Sequence, residues 1–135
     1  ADMSNVERVK EFHRTFEADM NKPVIKGDKA YKALCKLREA LIREEFEEEL
    51  VPAMKDGNIV EIADALSDIL YVTYGAAVAF GIPIDECFAE VHRSNMSKTG
   101  PDGKALRRED GKILKGPNYF RPNLARILQQ HGLIE

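Results

Sequence analysis

The chain has 135 residues, a length that fits one domain whose folding hides about two thirds of its unfolded surface. Hydrophobic residues make up 44% and charged residues 32%, the balance of a soluble globular protein. The net charge of −3 gives no general reason to expect nucleic acid or an anionic membrane as a partner.

Residues 4–16 read as a first helix, with Ser4 as cap and Glu7 completing a capping box. Val6, Val9, Phe12, His13 and Phe16 mark one face of it. Residues 17–27 read as a loop. Asp28 can cap a long second helix over 29–50, which Pro52 should kink or end because its ring clashes with the carbonyl four residues back. Lys55-Asp56-Gly57 reads as a turn. Asn58 caps a third helix over 59–80, closed by Gly81. Its segment 69–84 is strongly apolar, but it is shorter than a membrane span and broken by two glycines and a proline. It therefore reads as a helix buried on several sides, which a second subunit would make easier. No signal peptide is apparent.

A fourth helix is expected over 84–97, with Ile84, Phe88, Val91 and Asn95 inward, Asp85 and Glu86 at its start and His92 exposed. From Thr99 the chain turns rich in Gly, Pro and Lys. Segments 104–107 and 112–115 could pair as a small hairpin around Asp110-Gly111. Pro122 opens a last helix to about Gln130, ended by Gly132. The expected architecture is all-α: a four- or five-helix bundle, a single domain over 1–135 with its helical core at about 4–98 and a hairpin tail at 99–135. Cys35 and Cys87 both fall on apolar faces and read as buried filler in a reducing compartment, so a cytoplasmic location is expected.

The acids carry the chemical signal. Glu44-Glu45-Phe46-Glu47-Glu48-Glu49 holds five carboxylates, and Glu61, Asp64 and Asp68 follow on the next helix. Leu34, Leu37 and Leu41 form a stripe that, continued by the same spacing, lands on Glu45 and Glu48, or on Glu44 and Glu48. Glu61, Asp64 and Asp68 share a face with Tyr71, Gly75 and Val78. Two carboxylates 5 Å apart at an effective dielectric of 20 repel by roughly 3 kcal/mol. Such a cluster must protonate, stay in water or hold cations. Oxygen ligands suit Mg²⁺, Mn²⁺ or Ca²⁺, and carboxylate-bound Mg²⁺ keeps waters and recruits phosphates. A polyphosphate is the natural ligand. Glu47 and Glu49 read as solvated face. No P-loop, zinc spacing, EF-hand or Ser-His-Asp set is present.

The stretch REEFEEEL…EIADALSDILYVTYGAAVAFGI…EVHRSNMSK resembles the MazG-like all-α nucleoside triphosphate pyrophosphohydrolases over roughly residues 28–120. That superfamily includes dimeric dUTPases, dCTP pyrophosphatases and phosphoribosyl-ATP pyrophosphohydrolase. Its signature is E-E-x-x-E on one helix and E-x-x-D on the next. The resemblance implies that Glu45 and Glu48 are metal ligands and that Glu44 is a general base. The second pair stays open. Spacing favours Glu61 and Asp64, whereas the flanking DILYVTYG favours Asp68, with Ala65 where the family has a carboxylate and Asp64 as its replacement. Asn95 and Lys98 match an N-x-x-K element at the phosphate end of the pocket. Lys115 is a weaker phosphate candidate, and Tyr119 a sugar or base contact. His13, with Phe12 and Phe16, either lines the base pocket or is core.

The resemblance further implies Mg²⁺ or Mn²⁺ as cofactor, cleavage of a nucleoside triphosphate, most naturally a dNTP, to monophosphate and pyrophosphate, and a homodimer or dimer of dimers. Phosphoribosyl-ATP hydrolysis and a non-catalytic, metal-stabilised helical dimer are the other readings. The first differs in substrate and the second in releasing no pyrophosphate.

Overall fold

The computed structural model describes residues 2–135. They group into two compact units, Ala1–Ile82 and Pro83–Glu135, so the fourth helix groups with the tail and not with the three before it.

The first unit is helical throughout. Helix α1 (Asn5–Thr15) is capped by Ser4, whose hydroxyl accepts from the Glu7 amide at 3.2 Å. The loop after it passes through two left-handed non-glycine residues, Glu17 and Asn21. It is tied to the third long helix by Asn21 N–H to Val78 O at 3.1 Å and Lys22 N–H to Ala79 O at 2.8 Å. Helix α2 (Lys29–Glu44), capped by Asp28, runs without a break into a π-helical segment, Glu45–Leu50, and on into α3 (Val51–Asp56).

Pro52 therefore does not end the helix. It has no N–H and its ring crowds the carbonyl four residues back, so an α turn through it is unfavourable. The backbone answers one residue earlier: Val51 N–H reaches Phe46 O, five residues back. A π turn of this kind adds one residue to the helix without interrupting it.

Helix α4 (Ile59–Phe80) begins at Asn58, whose side chain accepts from Val60 and Glu61 amides at 3.1 and 3.2 Å. It is antiparallel to α2: Tyr31 meets Phe80 with ring centroids 5.8 Å apart, and Arg38 lies against Gly75. Helix α1 lies alongside the same helix, with Phe12 edge-on to Tyr71 at 5.6 Å. The core of the unit holds Val9, Leu34, Leu50, Ala53, Ala65 and Ala77–Ala79. By length and composition α4 could cross a membrane, although Glu61, Asp64 and Asp68 in its first half would be costly in lipid. Within one chain it is not buried on several sides, because Ile59, Val60, Leu66, Leu70 and Tyr71 are exposed.

The stripe on α2 is also rephased. Leu37 is exposed and Arg38 is buried at 8% exposure. The inward line is Leu34, Arg38 and Leu41 or Ile42, ending in half-buried Glu45.

In the second unit, α5 (Ile84–Met96) and α6 (Leu124–Gln130) are joined by a long irregular segment. The buried face of α5 is Cys87, Glu90 and Ser94, not the expected Ile84–Phe88–Val91 line; Phe88 is 72% exposed. A polar network replaces apolar packing there. Glu90 accepts from Arg93 Nε at 2.9 Å and from the Asn123 amide at 2.6 Å. Ser94 Oγ donates to Phe120 O at 2.7 Å, and the Arg93 guanidinium stacks 4.3 Å over the Phe120 ring. Glu86 pairs with His131 at 3.0 Å. The expected hairpin is reduced to one antiparallel bridge, Arg107 to Ile113, with Leu114 N–H bonding Leu106 O at 2.7 Å. Residues 101–115 are all exposed and have no third strand to pack on, and an isolated hairpin is marginal in water. Among the described residues there is no β-strand. Gly116 lies against the Thr99 carbonyl so closely that a Cβ would stand 1.9 Å from that oxygen.

Candidate active site

The register set by Tyr31–Phe80 and Arg38–Gly75 carries on toward the acids. Seven residues beyond Arg38 comes Glu45, and seven before Gly75 comes Asp68. Glu45 is half-buried. Its carboxyl is raised above the ordinary glutamate range, first by burial, then by the charges of Asp68, Glu49, Glu44 and Asp64. Asp64 and Asp68 of α4 thus lie near enough for their charges to act on Glu45 of α2.

Glu48 is placed elsewhere. It lines a groove of about 470 Å³ on the outer side of α2, with Lys36, Glu39, Arg43, Glu44 and Glu47. Arg43 pairs there with Glu39, and with Glu47 at 3.9 Å. Glu61 is exposed in the first turn of α4, where its amide is the one Asn58 caps. Glu49, read as solvated face, is exposed, and its charge acts on Glu45 one turn before it.

Asn95, Lys98, Lys115 and Tyr119 all belong to the second unit. Lys98 is half-buried, and its carbonyl accepts from Gly116 N–H at 3.1 Å. The Lys115 ammonium lies 4.9 Å over the Tyr119 ring. His13 is core: it is 3% exposed, and its Nδ1 lies 2.8 Å from Asp19 O. A carbonyl only accepts, so Nδ1 carries the proton. Phe12 and Phe16 stack at 4.5 Å and stay exposed. Cys35 and Cys87 are both free thiols, Cys35 half-buried and Cys87 buried.

Arg38 is the residue that spacing did not single out. Burial lowers its pKa, which the charge of Asp19 partly restores, and its Nε has no hydrogen-bond partner. Gly75 makes room for it: a Cβ there would stand 2.9 Å from Arg38 Nη1 and 3.4 Å from His13 Nε2. The signal was its place four residues after Leu34 and seven before Glu45.

Among the described residues no three His, Cys, Asp or Glu side chains close into a metal cage. The donor set is nonetheless all carboxylate oxygen. Mg²⁺ usually takes only one or two carboxylates and completes its shell with water and substrate phosphate.

The sequence model of the phosphoribosyl-ATP pyrophosphohydrolase family matches residues 9–95. The chain belongs to that family. The match runs from within α1 through almost all of α5 and includes every acid of the cluster. A protein of Acanthamoeba polyphaga mimivirus, uncharacterized protein L479, is 42% identical over 85 residues, covering 61% of this chain. The match takes in 33% of that relative's length. A crystal structure of a protein from Exiguobacterium sp. 255-15, assigned as an NTP pyrophosphohydrolase, superposes with a TM-score of 0.53 at 26% identity and covers 98% of both chains.

Proposed function

We propose that the chain hydrolyses a nucleoside triphosphate, most naturally a dNTP, between its α- and β-phosphates, with Mg²⁺ or Mn²⁺ as cofactor. The observation that carries this reading is half-buried Glu45, whose carboxyl is raised by burial and by the charges of acids on its own helix and on α4. Membership of a pyrophosphohydrolase family supports it.

Glu45, Asp64 and Asp68 would hold the divalent ion, with Glu48 of the E-E-x-x-E motif and Glu61 as further acids of the set. When bound, the ion supplies charge neutralisation of the triphosphate and a lower pKa for water. Glu44 or Glu45 orients the attacking water and takes its proton. The water oxygen bonds to the α-phosphorus, the bond from that phosphorus to the bridging oxygen breaks, and pyrophosphate leaves. Lys98, Asn95, Lys115 and Tyr119 stay candidates for phosphate, sugar or base contacts on the sequence resemblance alone. A homodimer covering the exposed face of α4 and a cytoplasmic location complete the proposal.

The test is a panel of NTPs and dNTPs with Mg²⁺ or Mn²⁺, reading pyrophosphate against orthophosphate. Pyrophosphate is expected, and Asp68→Asn should lose it while keeping its helical circular dichroism. Orthophosphate as the sole product would exclude α–β cleavage. The family's own description favours a second reading, phosphoribosyl-ATP as substrate. Product from that compound, with poor use of free dNTPs, would select it.

A further inference from the structure

In the second unit the chain crosses over itself where Lys115-Gly116 meets Lys98-Thr99, and the crossing demands a glycine. Gly116 N–H donates to Lys98 O at 3.1 Å. A Cβ on Gly116 would stand 1.9 Å from Thr99 O, 2.7 Å from its carbonyl carbon and 3.1 Å from Lys98 O. All three are backbone atoms, so no side chain can turn aside to make room. The crossing is braced. Ser97 Oγ accepts from Phe120 N–H at 3.1 Å, and Ser94 Oγ donates to Phe120 O at 2.7 Å. Tyr119 N–H donates to Gly116 O at 3.2 Å, a turn that folds the Tyr119 ring back under the Lys115 ammonium.

Two lysines far apart in sequence therefore leave the backbone at one place. Each carries its ammonium on a flexible four-carbon stem, so both can reach one small anion. Among the described residues, neither ammonium is paired with a carboxylate. Glu86, Glu90 and Asp110 of this unit are engaged elsewhere, with His131, Arg93 and Arg108. The Tyr119 ring steadies the Lys115 ammonium without cancelling its charge. Two such cations at a fixed crossing suit an anion with several oxygens, and lysine serves phosphate as a point charge.

We infer that Lys98 and Lys115 form a single anion-binding pair for a phosphate chain, and that Gly116 is the positioning residue that makes them a pair. The identity of the anion rests on the hydrolase reading above, which the pair deepens by joining two contacts that the sequence offers separately.

The experiment titrates the full chain, without divalent metal and at low ionic strength, with inorganic pyrophosphate and separately with a nucleoside monophosphate. Lys98→Ala and Lys115→Ala should each weaken pyrophosphate binding by about tenfold. The double variant should lose less than the two factors multiplied, because either change alone breaks the pair. Lys112→Ala, an exposed lysine nearby, should change affinity by less than about twofold. Gly116→Ala keeps both lysines yet should lose as much as Lys98→Ala, and adding it to Lys98→Ala should cost no further affinity. A merely structural glycine would not give that second result. Circular dichroism checks each fold; should Gly116→Ala not fold, the lysine cycle decides. Losses that multiply, parental affinity in Lys115→Ala, an equal loss in Lys112→Ala, or a parent chain that binds neither anion overturns the pair. The same pattern with the monophosphate assigns the pair to the nucleotide, and with pyrophosphate alone to the leaving group. A parent that shows the coupled losses but releases no pyrophosphate from any nucleotide keeps the pair and loses the hydrolase reading.

Discussion

Glu45 is the residue on which the site's energetics turn. Its carboxyl is raised by burial and by four neighbouring carboxylates, so the fold binds its proton more tightly than the unfolded chain does. The associated stability is present below the ordinary glutamate value and is lost as pH rises through the raised one. Glu45→Gln should therefore raise the metal-free melting temperature at neutral pH by a few degrees, with the gap closing below about pH 4. Melting curves across pH check this; a variant less stable than the parent at neutral pH would show that the carboxylate is not strained. Arg38 presents the complementary case of a buried cation without a full set of partners. Replacing it by Met, of similar length, should stabilise the first unit by about 1 kcal/mol or more in thermal unfolding. Gly75→Ala should go the other way, despite Ala's better helix propensity, because its Cβ meets Nη1 at 2.9 Å.

At the level of elements, the long helices were legible because their caps and stops are local chemistry. Ser4, Asp28, Asn58 and Gly81 mark their ends in the sequence and in the structure. What was not legible was phase. The Leu34–Leu37–Leu41 stripe misses the true seam by one residue because Arg38 is buried against a glycine on another helix, a tertiary fact with no local signature. Pro52 announced trouble but not its form, since nothing nearby says whether a helix will stop or widen. The inner face of α5 was misread for a related reason: its buried contacts are polar, and hydrophobic periodicity is blind to Glu90 and Ser94. That network makes its own prediction. Partners from Arg93 and the Asn123 amide hold the Glu90 carboxyl below the usual range, so it supports the fold above that range and stops doing so as pH falls through its lowered value. Glu90→Gln should speed hydrogen exchange at Phe120 and Asn123 at neutral pH, and the difference from the parent should shrink in acid. Unchanged exchange would mean that the tail is held by other contacts.

For the whole molecule, a 22-residue helix carries a large exposed apolar face. If a second copy covers that face, as proposed, Leu70→Asp should shift the sedimenting species toward monomer with the helical signal intact; an unchanged sedimentation coefficient would place the partner surface elsewhere. The acid cluster was legible at this scale as a reason to expect metal and phosphate. The burial pattern beyond Glu45 was not, because a single added residue in the π turn moves the buried positions to Leu50 and Ala53. That surplus residue also bears on how the chain can vary in length. Removing Phe46 or Glu47 would let the widened turn tighten to an ordinary one while Leu50 and Ala53 kept their places in the interior. Single-residue gaps between 45 and 50 should therefore be tolerated among natural variants, whereas gaps of the same size in the middle of α2 or α4 should not.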